Sequence, residues 1–92
     1  MEAKDWIVKA NEWIDKGNVC IAKGDYQAAI TCYEQAIAIM PCDEEVYCNK
    51  GVALYQLGEY QAAITCFDRV LALQPDDTEA YNNKEKCVRK LK

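Results

Sequence analysis

The side chains best suited to chemistry in this chain are the thiols of six cysteines. They stand at Cys20, Cys32, Cys42, Cys48, Cys66 and Cys87. In a small exported protein, an even set of this size would indicate three disulfides. The first residues lack the basic-then-apolar order of a signal peptide, and four of the six cysteines fall within helical patterns, where cysteine acts as a small hydrophobic residue. We therefore expect free thiols and a cytoplasmic protein.

The chain offers little else that could catalyse a reaction or hold a metal ion. Zinc sites favour paired cysteines such as C-x2-C, often with histidine, and this sequence has neither; its nearest cysteines are Cys42 and Cys48. Without histidine the most common general base is missing, and no phosphate loop or nucleophile elbow is present. The carboxylates of Asp15, Glu34 and Asp68 are expected on solvated helix faces. We predict no enzyme activity, no cofactor and no metal.

Charge and hydropathy exclude two further classes of partner. The formal net charge is -4, so the field of the whole molecule would repel the phosphates of a nucleic acid. No segment approaches the roughly 20 consecutive apolar residues that a membrane span requires. A composition of 51% hydrophobic and 28% charged residues is that of a globular protein. We predict neither a nucleic-acid partner nor a membrane partner.

A repeat with a fixed period organises the chain. Residues 24–32, GDYQAAITC, return 34 positions later as residues 58–66, GEYQAAITC, with eight of nine positions identical. The same shift relates Gly17 to Gly51. Self-similarity at such a period is typical of stacked repeat architectures. The sequence therefore predicts two copies of one 34-residue structural unit.

Each unit contains two helical patterns separated by a turn. Apolar residues recur every three or four positions in the first unit, at Trp6, Ala10, Trp13, Gly17 and Cys20, and again at Tyr26, Ala29, Ile30, Tyr33, Ala36 and Ile37. Gly24 can supply the left-handed end of the first helix and Asp25 can cap the second, a device that Gly58 and Glu59 repeat. The prolines and aspartates near the unit boundary end one helix and start the next: Pro41, Asp43, Pro75 and Asp77.

These residues resemble the tetratricopeptide repeat family. The positions that carry the resemblance are occupied in pairs by Trp13 and Tyr47, Gly17 and Gly51, Ala29 and Ala63, Tyr33 and Phe67, and Pro41 and Pro75. Lys16 and Lys50 depart from the leucine usual in the family, and Val70 departs from its alanine. The resemblance implies an all-α fold, a right-handed α-solenoid of antiparallel helix-turn-helix units.

We expect a single domain of five helices spanning residues 1–92. Residues 1–9 extend the first helix, 10–43 form the first repeat, 44–77 the second, and 78–92 a closing helix. In that closing helix Glu85 replaces the glycine expected by the repeat. The substitution fits a terminal helix that no partner helix approaches, and terminal repeats need a polar outer face.

The resemblance also implies a function, a non-catalytic adaptor that holds a peptide segment or a helix of a partner protein on its concave face. The residues expected on that face are Asn11, Ile14, Asn18, Ile21, Glu45, Cys48, Asn49, Val52, Tyr55, Gln56, Asn82, Lys86 and Arg89. A second interpretation stays open, in which Ile14 and Ile21 pack inward and this face is ordinary surface.

Two other binding modes are alternatives. Members of the family that grip the C-terminal carboxylate of chaperone tails use two asparagines and three basic residues; Asn18 and Asn49 match the asparagines. The basic positions hold Ile14, Glu79 and Asn83, so a clamp built on charge-assisted hydrogen bonds is less favoured. The stronger alternative is self-assembly into a homo-oligomer through an open solenoid end, for which residues 6–8, Trp-Ile-Val, are available.

Overall fold

The computed structural model describes residues 2–41 and 43–92, so Met1 and Cys42 lie outside the described residues. Its helices are α1 (Ala3–Ala22), α2 (Tyr26–Ile39), α3 (Glu44–Gln56), α4 (Tyr60–Leu73) and α5 (Thr78–Leu91). The described residues contain these five helices and no strand. The predicted all-α helical repeat fold is confirmed. None of these helices is both long enough and apolar enough to cross a membrane.

The turn inside each helix pair is the same structure twice. Gly24 and Gly58 adopt φ angles of 79° and 81°, in the left-handed region that favours glycine. The amide of Gly24 donates to the Ile21 carbonyl at 3.0 Å, and the next amide, of Asp25, donates to the Cys20 carbonyl at 2.9 Å. The corresponding distances in the second turn are 3.0 and 2.9 Å. This Schellman pattern satisfies the last carbonyls of α1 and α3 and reverses the chain.

Aspartates cap three of the helices that follow a turn. The carboxylates of Asp25, Asp43 and Asp77 accept hydrogen bonds from first-turn amides of α2, α3 and α5 at 3.2, 3.1 and 3.0 Å. Glu59 makes no such bond at the start of α4, so the expectation that it repeats the role of Asp25 is wrong. Its side chain is one methylene longer, and glutamate is not among the preferred N-cap residues.

Close approach of the two helices in a pair depends on glycine beneath an aromatic ring. Tyr33 of α2 and Phe67 of α4 are almost completely buried. A Cβ atom placed on Gly17 would lie 2.5 Å from Cε1 of Tyr33, and one placed on Gly51 would lie 2.7 Å from Cζ of Phe67. Any larger residue at these two positions must therefore push the helices apart or displace the ring.

The helix pairs then stack side by side. Val46 of α3 is buried against Tyr33 and Ala36 of α2, and Cys87 of α5 is buried in the cluster that contains Phe67. The Nζ atom of Lys50 lies 3.4 Å from a carboxylate oxygen of Glu34. The Nζ atom of Lys84 likewise lies 2.7 Å from an oxygen of Asp68. Lys50 and Lys84 thus each join their helix to the preceding one.

The two ends of the array differ in character. At the closing end, Ala80 and Cys87 face inward and Glu85 is half-buried. At the other end, Trp6, Ile7 and Val8 of α1 are each about half exposed. The principal extents of the molecule are 47, 29 and 16 Å, those of a short, flat array of helices.

We expect Gly51→Ala to lower the free energy of unfolding by up to about 2 kcal/mol, because the cost of overpacking a buried contact, about 1–3 kcal/mol, exceeds the gain in helix propensity. Alanine would otherwise stabilise a helix by about 1 kcal/mol relative to glycine. Urea denaturation measures the change. In a Phe67→Leu background, which lacks the Cε1 and Cζ atoms that clash, the same substitution should cost less. An equal cost in both backgrounds would contradict the proposed contact.

Candidate functional site

Three adjoining depressions follow the inner helices α1, α3 and α5. The depression between α1 and α3 is lined by Asn18, Ile21, Tyr33, Asn49 and Val52. Between α3 and α5 one is lined by Val52, Tyr55, Gln56, Phe67, Asn83 and Lys86, and another by Glu44, Glu45, Cys48, Asn49, Asp77 and Glu79. Val52 and Asn49 each line two of the three depressions, so the three form one continuous groove.

The groove brings together part of the set predicted from sequence. The predicted residues that line it are Asn18, Ile21, Glu45, Cys48, Asn49, Val52, Tyr55, Gln56 and Lys86. The predicted residues that line none of its depressions are Asn11, Ile14, Asn82 and Arg89. Ile14 instead packs against the buried cluster around Tyr33. Ile21 does both, because it lines the groove and contacts the buried clusters beneath it.

Several lining residues were not in the predicted set. Asn83 is one of them, and the 34-residue shift from Asn49 would have pointed to it. Glu44 and Asp77 flank the starts of α3 and α5, where sequence indicates only helix capping. The aromatic rings of Tyr33 and Phe67 reach the groove floor from α2 and α4. They can reach it because Gly17 and Gly51, which they contact, carry no side chain.

One hydrogen bond distinguishes the groove floor in the two units. The buried Tyr33 hydroxyl donates to Oδ1 of Asn18 at 2.6 Å. The 34-residue shift replaces this pair with Val52 and Phe67, in which neither member can form a hydrogen bond. Burial raises the pKa of Tyr33 to about 12. The polar pair of the first unit and the apolar pair of the second are therefore alternative solutions to the same packing position.

A double-mutant cycle tests this relationship. Asn18→Val alone should lower the free energy of unfolding by about 1–3 kcal/mol, because it leaves the buried Tyr33 hydroxyl without its acceptor. The double variant Asn18→Val, Tyr33→Phe recreates the pair of the second unit and should recover most of that loss. Urea denaturation of the four proteins measures the coupling. Equal costs of Asn18→Val with and without the hydroxyl would show that the hydrogen bond contributes nothing.

Charge is distributed unevenly along the groove. The depression at the starts of α3 and α5 is lined by four carboxylates and no cation. Lys86 lines the depression at the opposite end of these helices. Burial raises the pKa of the Cys48 thiol to about 11, and the negative charges of Glu79, Asp77 and Glu45 add to this effect. The groove thus has an acidic end, an apolar middle and a cationic end.

The cysteines in the described part of the chain form no disulfide. Cys20, Cys32, Cys48, Cys66 and Cys87 are free. Burial raises the pKa of Cys66 and Cys87, which lie in the core. Within residues 2–41 and 43–92, no group of three or more potential ligands could hold a metal ion. Of the two cysteines nearest in sequence, Cys42 and Cys48, the first lies outside the described part of the chain.

We expect the protein to lose stability as the pH rises above about 9. In the unfolded chain the Cys48 thiol ionises near its ordinary value of 9.0, whereas the folded chain keeps the proton until about pH 11. The unfolded state then binds fewer protons, so the free energy of unfolding falls through this window, by at most about 1.4 kcal/mol per pH unit per group. Urea denaturation in reductant at pH 8 and pH 10.5 measures the fall. Cys48→Ala should reduce it, and an unchanged fall would refute this assignment.

Two known family profiles match the sequence. One is described as TPR repeat and matches residues 17–58; the other is described as Tetratricopeptide repeat and matches residues 44–77. The matches overlap and together run from the glycine of the first helix pair to the start of α5. This chain belongs to the tetratricopeptide repeat family. No curated protein matches it significantly.

Solved structures share the fold. The TPR domain of Arabidopsis OM64 has a TM-score of 0.89 at 20% identity, over 94% of this chain and 71% of that chain. The TPR2B domain of yeast Sti1, in a complex with pHsp70, has a TM-score of 0.86 at 26% identity, over 91% and 67%. The first TPR of Spaghetti (RPAP3), bound to the HSP90 peptide SRMEEVD, has a TM-score of 0.83 at 26% identity, over 90% and 68%.

Proposed function

We propose that this protein is a non-catalytic interaction module that holds an extended peptide segment of a partner protein in the groove formed by α1, α3 and α5. The observation that carries the proposal is the continuity of the three depressions through Val52 and Asn49. The side-chain amides of Asn49, Gln56 and Asn83 can form hydrogen bonds with the exposed backbone of an extended peptide. Half-buried apolar side chains between them offer pockets for alternate residues of the ligand.

The structural relatives support this class of ligand. Sti1 TPR2B is in a complex with pHsp70, and the first TPR of Spaghetti is bound to an HSP90 peptide. The chemistry of the groove argues against an acidic chaperone tail here. Of the three positions that would need a cation, Ile14 is half-buried in the core, Glu79 is an anion, and Asn83 is neutral. Asn18, one of the two matching asparagines, already accepts the Tyr33 hydrogen bond.

A matched pair of valine variants tests the groove. Val52 lines two depressions, whereas Val19, on α1, lines none of the three and is 52% exposed. Peptides selected from a displayed random library should lose about four- to tenfold in affinity with Val52→Thr, which exchanges one apolar methyl for a hydroxyl of similar shape. Val19→Thr should leave binding unchanged. Isothermal titration calorimetry measures both.

Nuclear magnetic resonance then locates the bound peptide on the molecule. Amide chemical shifts of the labelled chain should change along α1, α3 and α5 when a selected peptide is added. Equal losses of affinity with the two valine variants, or shift changes confined to α2 and α4, would overturn the proposal. A stronger variant, Val52→Glu with Tyr55→Glu, should abolish binding, provided that circular dichroism shows it to be folded.

Self-assembly is the second candidate function, supported by the exposure of Trp6, Ile7 and Val8 at the open end of α1. The indole of Trp6 is half exposed, and large apolar residues of this kind are common where proteins associate. Light scattering across a range of protein concentrations distinguishes the two functions. A mass that rises with concentration and falls back with Trp6→Ser would support association through this end, and a monomer throughout would remove it.

A further inference from the structure

The two outward-facing glutamates at the acidic end of the groove have no partner within the described part of the chain. Glu45 and Glu79 are exposed and occupy the same position of α3 and α5, 34 residues apart. None of the described ion pairs or hydrogen bonds involves the carboxylate of either residue, although the backbone amide of Glu45 donates to Asp43. The same position of α1 holds Asn11, so the acidic pair arises only where α3 and α5 adjoin.

Neighbouring carboxylates have identifiable structural roles, which separates them from this pair. Asp77 caps α5 through the amide of Ala80 at 3.0 Å. Glu44 accepts a hydrogen bond from Nε2 of Gln74 at 3.0 Å. These contacts account for two of the four carboxylates at this end, and Glu45 and Glu79 are left to act on whatever enters the groove.

Cations that could neutralise the pair are engaged elsewhere. Lys50 of α3 and Lys84 of α5 pair with Glu34 and Asp68, on the preceding outer helices. Lys86 lies at the far end of the groove. From Glu45 to Gln56 the helix rises about 16 Å, the length of about five extended residues. The negative field at the acidic end is also felt by the Cys48 thiol, whose proton it helps to retain.

We propose that the segment held by this groove carries a lysine or arginine at one end, seated between Glu45 and Glu79, followed by apolar residues that cover Val52. This inference rests on the proposed function and specifies the chemistry of its ligand. A cation at the acidic end would be attracted by two carboxylates that have no ion-pair partner within the described part of the chain. Because Lys86 repels a second cation at the far end, a segment that is basic at one end is preferred over one that is basic throughout.

Three amidated, fluorescein-labelled peptides test the proposal: KKLLYL, QQLLYL and EELLYL. Fluorescence anisotropy should show that the basic peptide binds about two- to tenfold more tightly than the neutral peptide, the gain expected of two exposed ion pairs. The acidic peptide should bind more weakly than the neutral one. The differences should shrink in 0.5 M salt, because screening weakens exposed charge pairs.

Charge-matched variants separate the local pair from the field of the whole molecule. Glu45→Gln with Glu79→Gln should remove the preference for the basic peptide. Glu12→Gln with Glu59→Gln changes the net charge equally at exposed positions outside the three depressions, and should retain it. An equal loss of preference in both double variants would overturn the proposal, as would tighter binding of the acidic peptide.

Failure of this inference is distinguishable from failure of the proposed function. If the neutral peptide binds, and binds less tightly with Val52→Thr, while the basic peptide shows no advantage, the groove is a peptide site without the proposed charge preference. If none of the three peptides binds, both the charge preference and the peptide-binding groove are refuted for segments of this kind.

Discussion

The contact between a helical glycine and a buried aromatic ring is the constraint on which the rest of this structure depends. Gly17 under Tyr33, and Gly51 under Phe67, bring the two helices of each pair close enough that no Cβ atom fits between them. Because the rings lie so deep, they reach the floor of the groove on the far side. The spacing of the helix pairs, the burial of Val46 and Cys87, and the alignment of α1, α3 and α5 all follow from this packing.

Repetition makes the differences between the two units informative. At the turn glycines Gly24 and Gly58, both units keep the same residue and matching hydrogen bonds. Elsewhere on the inner helices the residues differ: Asn18 becomes Val52, and Asn11 becomes Glu45. The second unit therefore contributes a more apolar floor and a more acidic edge than the first, which makes the surface asymmetric although the backbone repeats. A groove with such asymmetry favours one orientation of a bound segment.

The first and the last described helices differ from α3 at positions that pack against neighbouring helices. Position for position, Glu12 of α1 corresponds to Val46 and Ala80, which are buried against the preceding helix pair. A carboxylate without a partner is costly to bury. Glu12 is exposed, so α1 presents a polar residue to solvent at this position. Glu85 of α5 stands at the position that Gly17 and Gly51 occupy in α1 and α3, where the close contact with an aromatic ring requires glycine.

The sequence alone determined the period, the helix count and the turn chemistry, because these depend on local rules: glycine at positive φ, proline beyond a helix end, aspartate at a helix start, and apolar residues three or four apart. The sequence alone did not determine which side chains of a helix face the groove. Ile14 and Ile21 lie seven residues apart on one helix, yet Ile14 packs into the core and only Ile21 lines the groove. Local spacing also could not show that Lys50 pairs with Glu34, or that Glu45 and Glu79 stand at one edge. Those relations join helices that are distant in sequence, and only the packing of one helix pair against the next brings them together.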